Sequence, residues 1–167
     1  MIIRNEKVTD IDAIIKYEKL TVQTPGFLVS ILDEPTPVYY QKLIASSDID
    51  LIFFIVENEK QVVGHAYLLP MSLKALSLVY RLTIVIHPNH VNQGIGKLLM
   101  DTLMKAAREK DKINKIESLV RSSNKRAIHL YEKYGIKTEG ILKKRIRLSE
   151  SEFLDDITMG WFSKAIS

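Results

Sequence analysis

Cysteine is absent from the 167 residues, and that closes several routes. No disulfide can staple the chain, no thiolate can hold a metal, and no cysteine can carry an acyl group through a covalent intermediate. Any acyl transfer from a thioester must then pass directly from donor to acceptor. Long apolar runs are missing too. No stretch reaches the ~18 residues of a membrane span, and the opening Met1-Ile2-Ile3-Arg4-Asn5-Glu6 lacks the basic start and apolar core of a secretory leader. A cytoplasmic protein with no membrane partner is therefore expected. Charge of one sign is not concentrated: 24 Lys and Arg stand against 20 Asp and Glu, a net +4. That balance suits an anionic ligand but lacks the basic face of a nucleic-acid binder. The densest basic stretch, Lys143-Lys144-Arg145-Ile146-Arg147, alternates polar with apolar like a solvated sheet face. Internal repeats, low-complexity segments and linkers are also lacking, so residues 1–167 read as a single domain.

What is present is ordinary globular material, 46% hydrophobic and 26% charged, arranged in alternating element types. A short strand over 1–5 precedes a helix over about 10–20, in which Ile11, Ile14, Ile15 and Glu18 recur at helical spacing and Thr9 and Asp12 form a capping-box variant. Residues 21–37 are rich in turn formers, and a second helix begins at Val38. Asp50 to Glu57 and Gln61 to Leu69 read as antiparallel strands around the turn at Asn58-Glu59-Lys60. A strand over 75–86 follows, then a helix from Gly94, a strand over 115–120, a helix over 125–134 with Gly135 as its C-terminal cap, and a hairpin of strands over 140–148 and 153–162. The strands on either side of the Gly94 helix form a β-α-β unit and are expected to be parallel.

The organising stretch is Val85 to Met100. An apolar strand is broken by His87-Pro88-Asn89, and Gly94 and Gly96 open an amphipathic helix with Ile95, Leu98, Leu99, Leu103 and Ala106 on one stripe. A helix start bearing two glycines presents bare N–H groups and the positive end of the helix dipole, which together bind phosphate or pyrophosphate. Tight packing of the helix on its strand would equally require glycine at these positions. A dinucleotide fingerprint would need glycine where Leu99 stands, and a P-loop would need Ser or Thr where Leu98 stands.

The pattern resembles the pyrophosphate signature of the GNAT superfamily of N-acetyltransferases, in which a hydrophobic-x-Pro strand end leads into Arg/Gln-x-x-Gly-x-Gly/Ala. Here that reads Ile86-His87-Pro88, then Val91-Asn92-Gln93-Gly94-Ile95-Gly96, with Val91 replacing the usual first Arg or Gln. Downstream, Asn124-x-x-Ala127-x-x-Leu130-Tyr131-x-Lys133-x-Gly135 is similar to the family's second motif. The element order matches across essentially the whole chain. The resemblance implies an α/β fold: a mixed, mostly antiparallel twisted sheet of about seven strands flanked by about four helices, with a splayed parallel pair at the cofactor site. It implies acetyl-CoA as co-substrate, the backbone of Ile84, Val85 and Ile86 holding the pantetheine arm, and the N–H groups of Val91, Asn92, Gln93, Gly94, Ile95, Gly96 and Lys97 holding the pyrophosphate. Asn124 is expected on the pantetheine or diphosphate side, and Lys133 or Lys97 at the 3′-phosphate. The last third, Glu139 to Trp161, is similar to the branch containing ribosomal-protein, polyamine and amino-acid acetyltransferases.

Acetyl transfer to an amine needs a proton acceptor for the ammonium, whose pKa lies near ~10.4 in the lysine case, and a proton donor for the departing thiolate. By resemblance Tyr131 is the donor. The acceptor is not evident, because the family's strand glutamate is replaced by Arg81; Glu34, Glu57 and His87 are candidates, and a water-relayed path is another. Phe27, Tyr39 and Tyr40 in the variable region, with Arg81, are candidates for the acceptor pocket, the aromatics being equally suited to the core. Asp33, Glu34, Asp155 and Asp156 would suit a polyamine, Arg81 or Arg145 a carboxylate-bearing acceptor. His87 and His90 lack further ligands nearby, and no metal is expected. The expected activity is direct transfer of an acetyl group to a primary amine of a small molecule or peptide N-terminus. A non-catalytic CoA-binding sensor or scaffold is the alternative, and a homodimer is expected on the family's pattern.

Overall fold

The computed structural model describes residues 1–23, 37–45 and 49–164. The strands are β1 (Ile2–Asn5), β2 (Ile52–Asn58), β3 (Gln61–Pro70), β4 (Val79–Ile86), β5 (Lys115–Arg121), β6 (Lys137–Arg147) and β7 (Phe153–Phe162). Four α-helices stand among the described residues: α1 (Ile11–Val22), α2 (Pro37–Ala45), α3 (Ile95–Arg108) and α4 (Lys125–Lys133). All seven strands join one sheet in the order β1-β2-β3-β4-β5-β7-β6. Every neighbouring pair is antiparallel except β4 with β5. This is the expected architecture.

Two corrections concern boundaries. Residues 75–78 do not extend β4; Met71 N–H donates to the Val79 carbonyl at 3.0 Å, so the β3–β4 connection closes as a hairpin around a 3₁₀ turn at Lys74–Leu76. The helix start near Thr9 is capped differently as well. Asp10 accepts from the Lys7 N–H at 2.7 Å and pairs with Arg4, which also holds Glu57. The cap thus ties β1, α1 and β2 together.

The sheet separates two apolar clusters. On one face α3 and α4 cover Val63, Ala66, Leu68, Tyr80 and Leu82, with Ile95, Leu99, Met100, Leu103 and Met104 interdigitating from α3. The 3.6-residue stripe read from the sequence is this buried face. On the other face Ile11, Ile14, Tyr17, Tyr40 and Leu43 of α1 and α2 pack on Phe53, Ile55, Val62, Tyr67 and Val85. β3 is therefore buried on both sides, and each fully buried Leu or Ile contributes about 1.5–3 kcal/mol. Gly135 has φ +79, the left-handed turn that stops α4.

Candidate active site

The site is built where the parallel pair fails. β4 and β5 are in register only at Val79↔Lys115, Tyr80↔Ile116 and Arg81↔Glu117, although β4 continues to Ile86 and β5 to Arg121. On its other edge β4 remains paired with β3 from Tyr80 through Ile86. The β5-facing backbone groups of 82–86 are consequently open to an extended ligand that takes the place of a strand. Ile84, Val85, Ile86, Val91, Asn124 and Tyr131 line the cleft at this opening, with Thr21 of α1 at its edge. A second cavity continues from the same gap and is lined by Arg81, Thr83, Ser118, Arg121, Asn124 and Tyr131. Tyr131 and Asn124 belong to both.

The loop after β4 turns through a 3₁₀ segment, Pro88–His90, and enters α3 through Gly94 at φ +81. Asn92 is also left-handed, φ 64. The two glycines of the motif serve separate ends. At Gly94 a Cβ would meet nothing within 4 Å, so the conformation requires glycine and the space above it is free. At Gly96 a Cβ would stand 3.1 Å from Leu130 Cδ2 and 3.3 Å from Ile86 Cδ1, so here glycine allows α3, α4 and β4 to close together. The packing reading holds at Gly96, and at Gly94 the space a phosphate would need is open. Ile95 is 1% exposed, a core side chain.

Tyr131 is buried beside Ser118 of β5. Burial pushes its phenol up to about 12, and a hydrogen bond with Ser118 works the other way. The Tyr134 hydroxyl bonds Asp101 at 2.6 Å and the Lys97 carbonyl at 3.2 Å, tying α4 to α3. Lys97 Nζ is held by Asp101 at 2.7 Å on an exposed surface, and Lys133 is exposed in the last turn of α4. Asn124 caps α4, its Oδ1 accepting from the Ala127 N–H at 3.1 Å, which leaves its amide nitrogen for the cleft. Gln93 lies 3.4 Å from His90.

The other candidates separate. Arg81 is exposed at the mouth of the second cavity. Tyr39 is 46% exposed with its hydroxyl 3.2 Å from that of Tyr67, whereas Tyr40 is 3% exposed and bonds Glu18. Phe27, Asp33 and Glu34 lie outside the described residues. Glu57 is engaged by Arg4 at 3.0 Å, at an opening shared with Asp10, Lys16 and His87. His87 accepts from the Asn89 N–H at 3.1 Å as the cap of the 3₁₀ turn. Among the described residues no three His, Asp or Glu side chains group as metal ligands. Asp155 and Asp156 are engaged too: Lys143 Nζ reaches Asp155 at 2.9 Å, Arg145 reaches Asp156 at 3.3 Å, and Arg121 forms a buried pair with Asp156. Two of the four cations of the basic stretch, Lys143 and Arg145, are thus paired with carboxylates.

Sequence reasoning gave no role to Glu18 or His65. Glu18 of α1 is 6% exposed and His65 of β3 is fully buried. The Glu18 carboxylate accepts from the Tyr40 hydroxyl at 2.5 Å and lies 3.5 Å from His65 Nε2, while His65 Nδ1 meets the Tyr17 hydroxyl. Burial pushes the Glu18 carboxyl up to about 7 and the His65 imidazole down to about 3. A carboxylate inside the apolar stripe of α1 was the available signal.

A strand pair that parts midway, a glycine-started helix after it and a buried phenol lining two cavities are the arrangement of an acetyltransferase. The chain belongs to the acetyltransferase (GNAT) family, whose pattern it matches over residues 18–136. It is 30% identical over 162 residues to an N-alpha-acetyltransferase of Sulfurisphaera tokodaii, covering 91% of this chain and 89% of that protein. Its fold matches that of a ribosomal-protein-alanine N-acetyltransferase from Brucella melitensis (TM-score 0.85, 22% identity, 98% and 100% of the two chains). It also matches a phosphinothricin acetyltransferase from Sinorhizobium meliloti in complex with acetyl-CoA (TM-score 0.84, 17% identity, 96% and 87%). No described helix is long and apolar enough to cross a membrane.

Proposed function

We propose that this acetyltransferase moves the acetyl group of acetyl-CoA directly onto a primary amine, an α-amine at a peptide N-terminus or of a small amino-acid-like molecule. The observation that carries this reading is Tyr131, whose phenol stands where the two cavities meet. One cavity suits the pantetheine arm and the other the incoming amine, so the thioester carbon falls at their junction. The free backbone of Ile84 to Ile86 would hold the arm, and Gly94 to Lys97 the pyrophosphate. The open space above Gly94 fits that group. Acetyl-CoA supplies the activated acyl carbon and a thiolate leaving group. Tyr131 donates its proton to that sulfur, and Ser118 fixes the direction of the phenol. Arg81 presents guanidinium donors at the acceptor's side, suited to the carbonyl or carboxylate carried on the same α-carbon as the amine and repellent to a polycation. The name of the Sulfurisphaera relative supports the α-amine class.

The test is release of free thiol from acetyl-CoA across short peptides, free amino acids and spermidine, with CoA binding followed by thermal shift. Turnover on peptides or amino acids, with spermidine poor, is the expected result. Arg81 in the place of the family's strand carboxylate also favours a second reading, a CoA-binding module without transfer. A clear thermal shift with no turnover on any amine would select it.

A further inference from the structure

We propose that Arg126 of α4 supplies the side-chain cation for the cofactor's pyrophosphate, serving from across the cleft the position that Val91 leaves uncharged in the loop. The proposal rests on the acetyl-CoA reading above and concerns a residue to which sequence reasoning gave no role.

Placement follows from one row of α4. Arg126, Leu130 and Tyr134 recur every fourth residue and so share a face of the helix. The Tyr134 hydroxyl bonds the Lys97 carbonyl and Asp101, in the first two turns of α3. Leu130, one turn back, abuts the start of α3: a Cβ on Gly96 would stand 3.1 Å from its Cδ2. One further turn back, about 6 Å along the axis, the row runs past the first residue of α3 and reaches Arg126. In agreement, Arg126 and Val91 line the same cleft, one from α4 and the other from the loop before α3, together with Ile84, Val85 and Ile86. The guanidinium is thereby carried to the end of α3 at which unpaired N–H groups and the positive end of the helix dipole receive an anion.

The charges point the same way. Among the described residues Arg126 is the one charged side chain lining this cleft. It is exposed, and none of the ion pairs among the described residues includes it. Lys97, by contrast, is held by Asp101, and Lys133 lies at the opposite end of α4. The loop from Val91 to Gly96 contains no cation of its own, and Val91 is the position at which the resembled signature carries Arg or Gln.

Arg126 also breaks a local rule. The first turn of α4 holds Lys125 and Arg126 and no acidic residue, although the positive end of a helix dipole repels cations. An anion bound against Arg126 relieves that repulsion, and the planar fork of a guanidinium matches two phosphate oxygens at once. A helix that gives up local preference at the wall of a ligand cleft is following the demand of the ligand.

The experiment is calorimetric titration with CoA and with dephospho-CoA, which lacks the 3′-phosphate and keeps the pyrophosphate. It compares the wild type, Arg126→Gln, Lys125→Gln and the double variant joining Val91→Arg to Arg126→Gln, with melting measured alongside. Arg126→Gln weakens both nucleotides by the same factor, about tenfold or more. Its unliganded Tm is no lower than that of the wild type, because a repelled cation has been removed. Lys125→Gln makes the same charge change one residue away, at a side chain that does not line the cleft, and shifts Kd by less than about twofold. The double variant regains affinity, a guanidinium at position 91 entering the same cleft. Arg126→Gln protein that binds both nucleotides like the wild type overturns the proposal alone. So does a loss confined to CoA, which assigns the guanidinium to the 3′-phosphate, and so does a double variant as weak as Arg126→Gln. Wild-type protein that binds neither nucleotide overturns the acetyl-CoA reading and this proposal with it.

Discussion

Tyr131 belongs to the core and, in the proposed reaction, to the chemistry as well. Its ring is packed with Ile136 and Met159, and its hydroxyl sits at the gap between β4 and β5. Removing that hydroxyl keeps the packing, so Tyr131→Phe should fold normally, bind acetyl-CoA as before and lose an order of magnitude or more in kcat, as expected of a group acting in the transition state. Calorimetric affinity and thiol release measured on the same sample check the split. Glu18 makes a stability statement of its own. Its folded pKa, about 7, exceeds the ordinary value of 4.5, so the native state favours the neutral acid. The contribution to stability is full below the unfolded pKa and is lost as pH rises through 7. Glu18→Gln, permanently neutral, should therefore melt progressively higher relative to wild type between pH 5 and pH 8. The gain should be several degrees, at about 2–4 °C per kcal/mol. A gap that stays constant over this range would refute the burial argument.

At the level of elements, the entry to α3 concentrates the proposed pyrophosphate contacts. Gly94→Asp introduces a side chain at φ +81 and a negative charge at the helix N-terminus, where it opposes an incoming pyrophosphate. CoA affinity should fall at least tenfold while Tm drops by only a few degrees; calorimetric titration decides. The β5–β7 pair depends instead on the buried Arg121 and Asp156 couple. Asp156→Ala leaves a guanidinium without its carboxylate, whose Nε already has no partner. Unfolding in denaturant should show a loss of about 3–5 kcal/mol. The sequence made α3 legible because a 3.6 stripe and a glycine pair are local signals. It made the parallel pairing of β4 and β5 legible through the crossover rule. Glu18 and His65 were not, because each is a single polar residue inside an apolar pattern, and only the packing of α1 and α2 on β3 brings them together. The 3₁₀ turn at Lys74–Leu76 escaped for a related reason: Ala75, Leu76 and Leu78 are apolar, but where the hairpin closes is set by hydrogen bonds to a distant strand.

For the whole molecule, the two apolar clusters on opposite faces of one sheet share β3 as a common wall. Ligand that binds only the folded state must stabilise it by mass action, about 2.7 kcal/mol at a hundredfold excess over Kd. CoA near that excess should raise Tm by several degrees, in proportion to the logarithm of its concentration, and differential scanning fluorimetry at stepped CoA gives the slope. The three register pairs at Val79, Tyr80 and Arg81 are the only ladder joining β1–β4 to β5–β7 among the described residues. Mechanically the sheet is two plates on a short hinge. A ligand laid along β4 beyond Arg81, as proposed for the pantetheine arm, would act as a keystone between them. Loading would stiffen the molecule as a whole, and product release would be felt at the distant hairpin of β6 and β7 as readily as in the cleft itself.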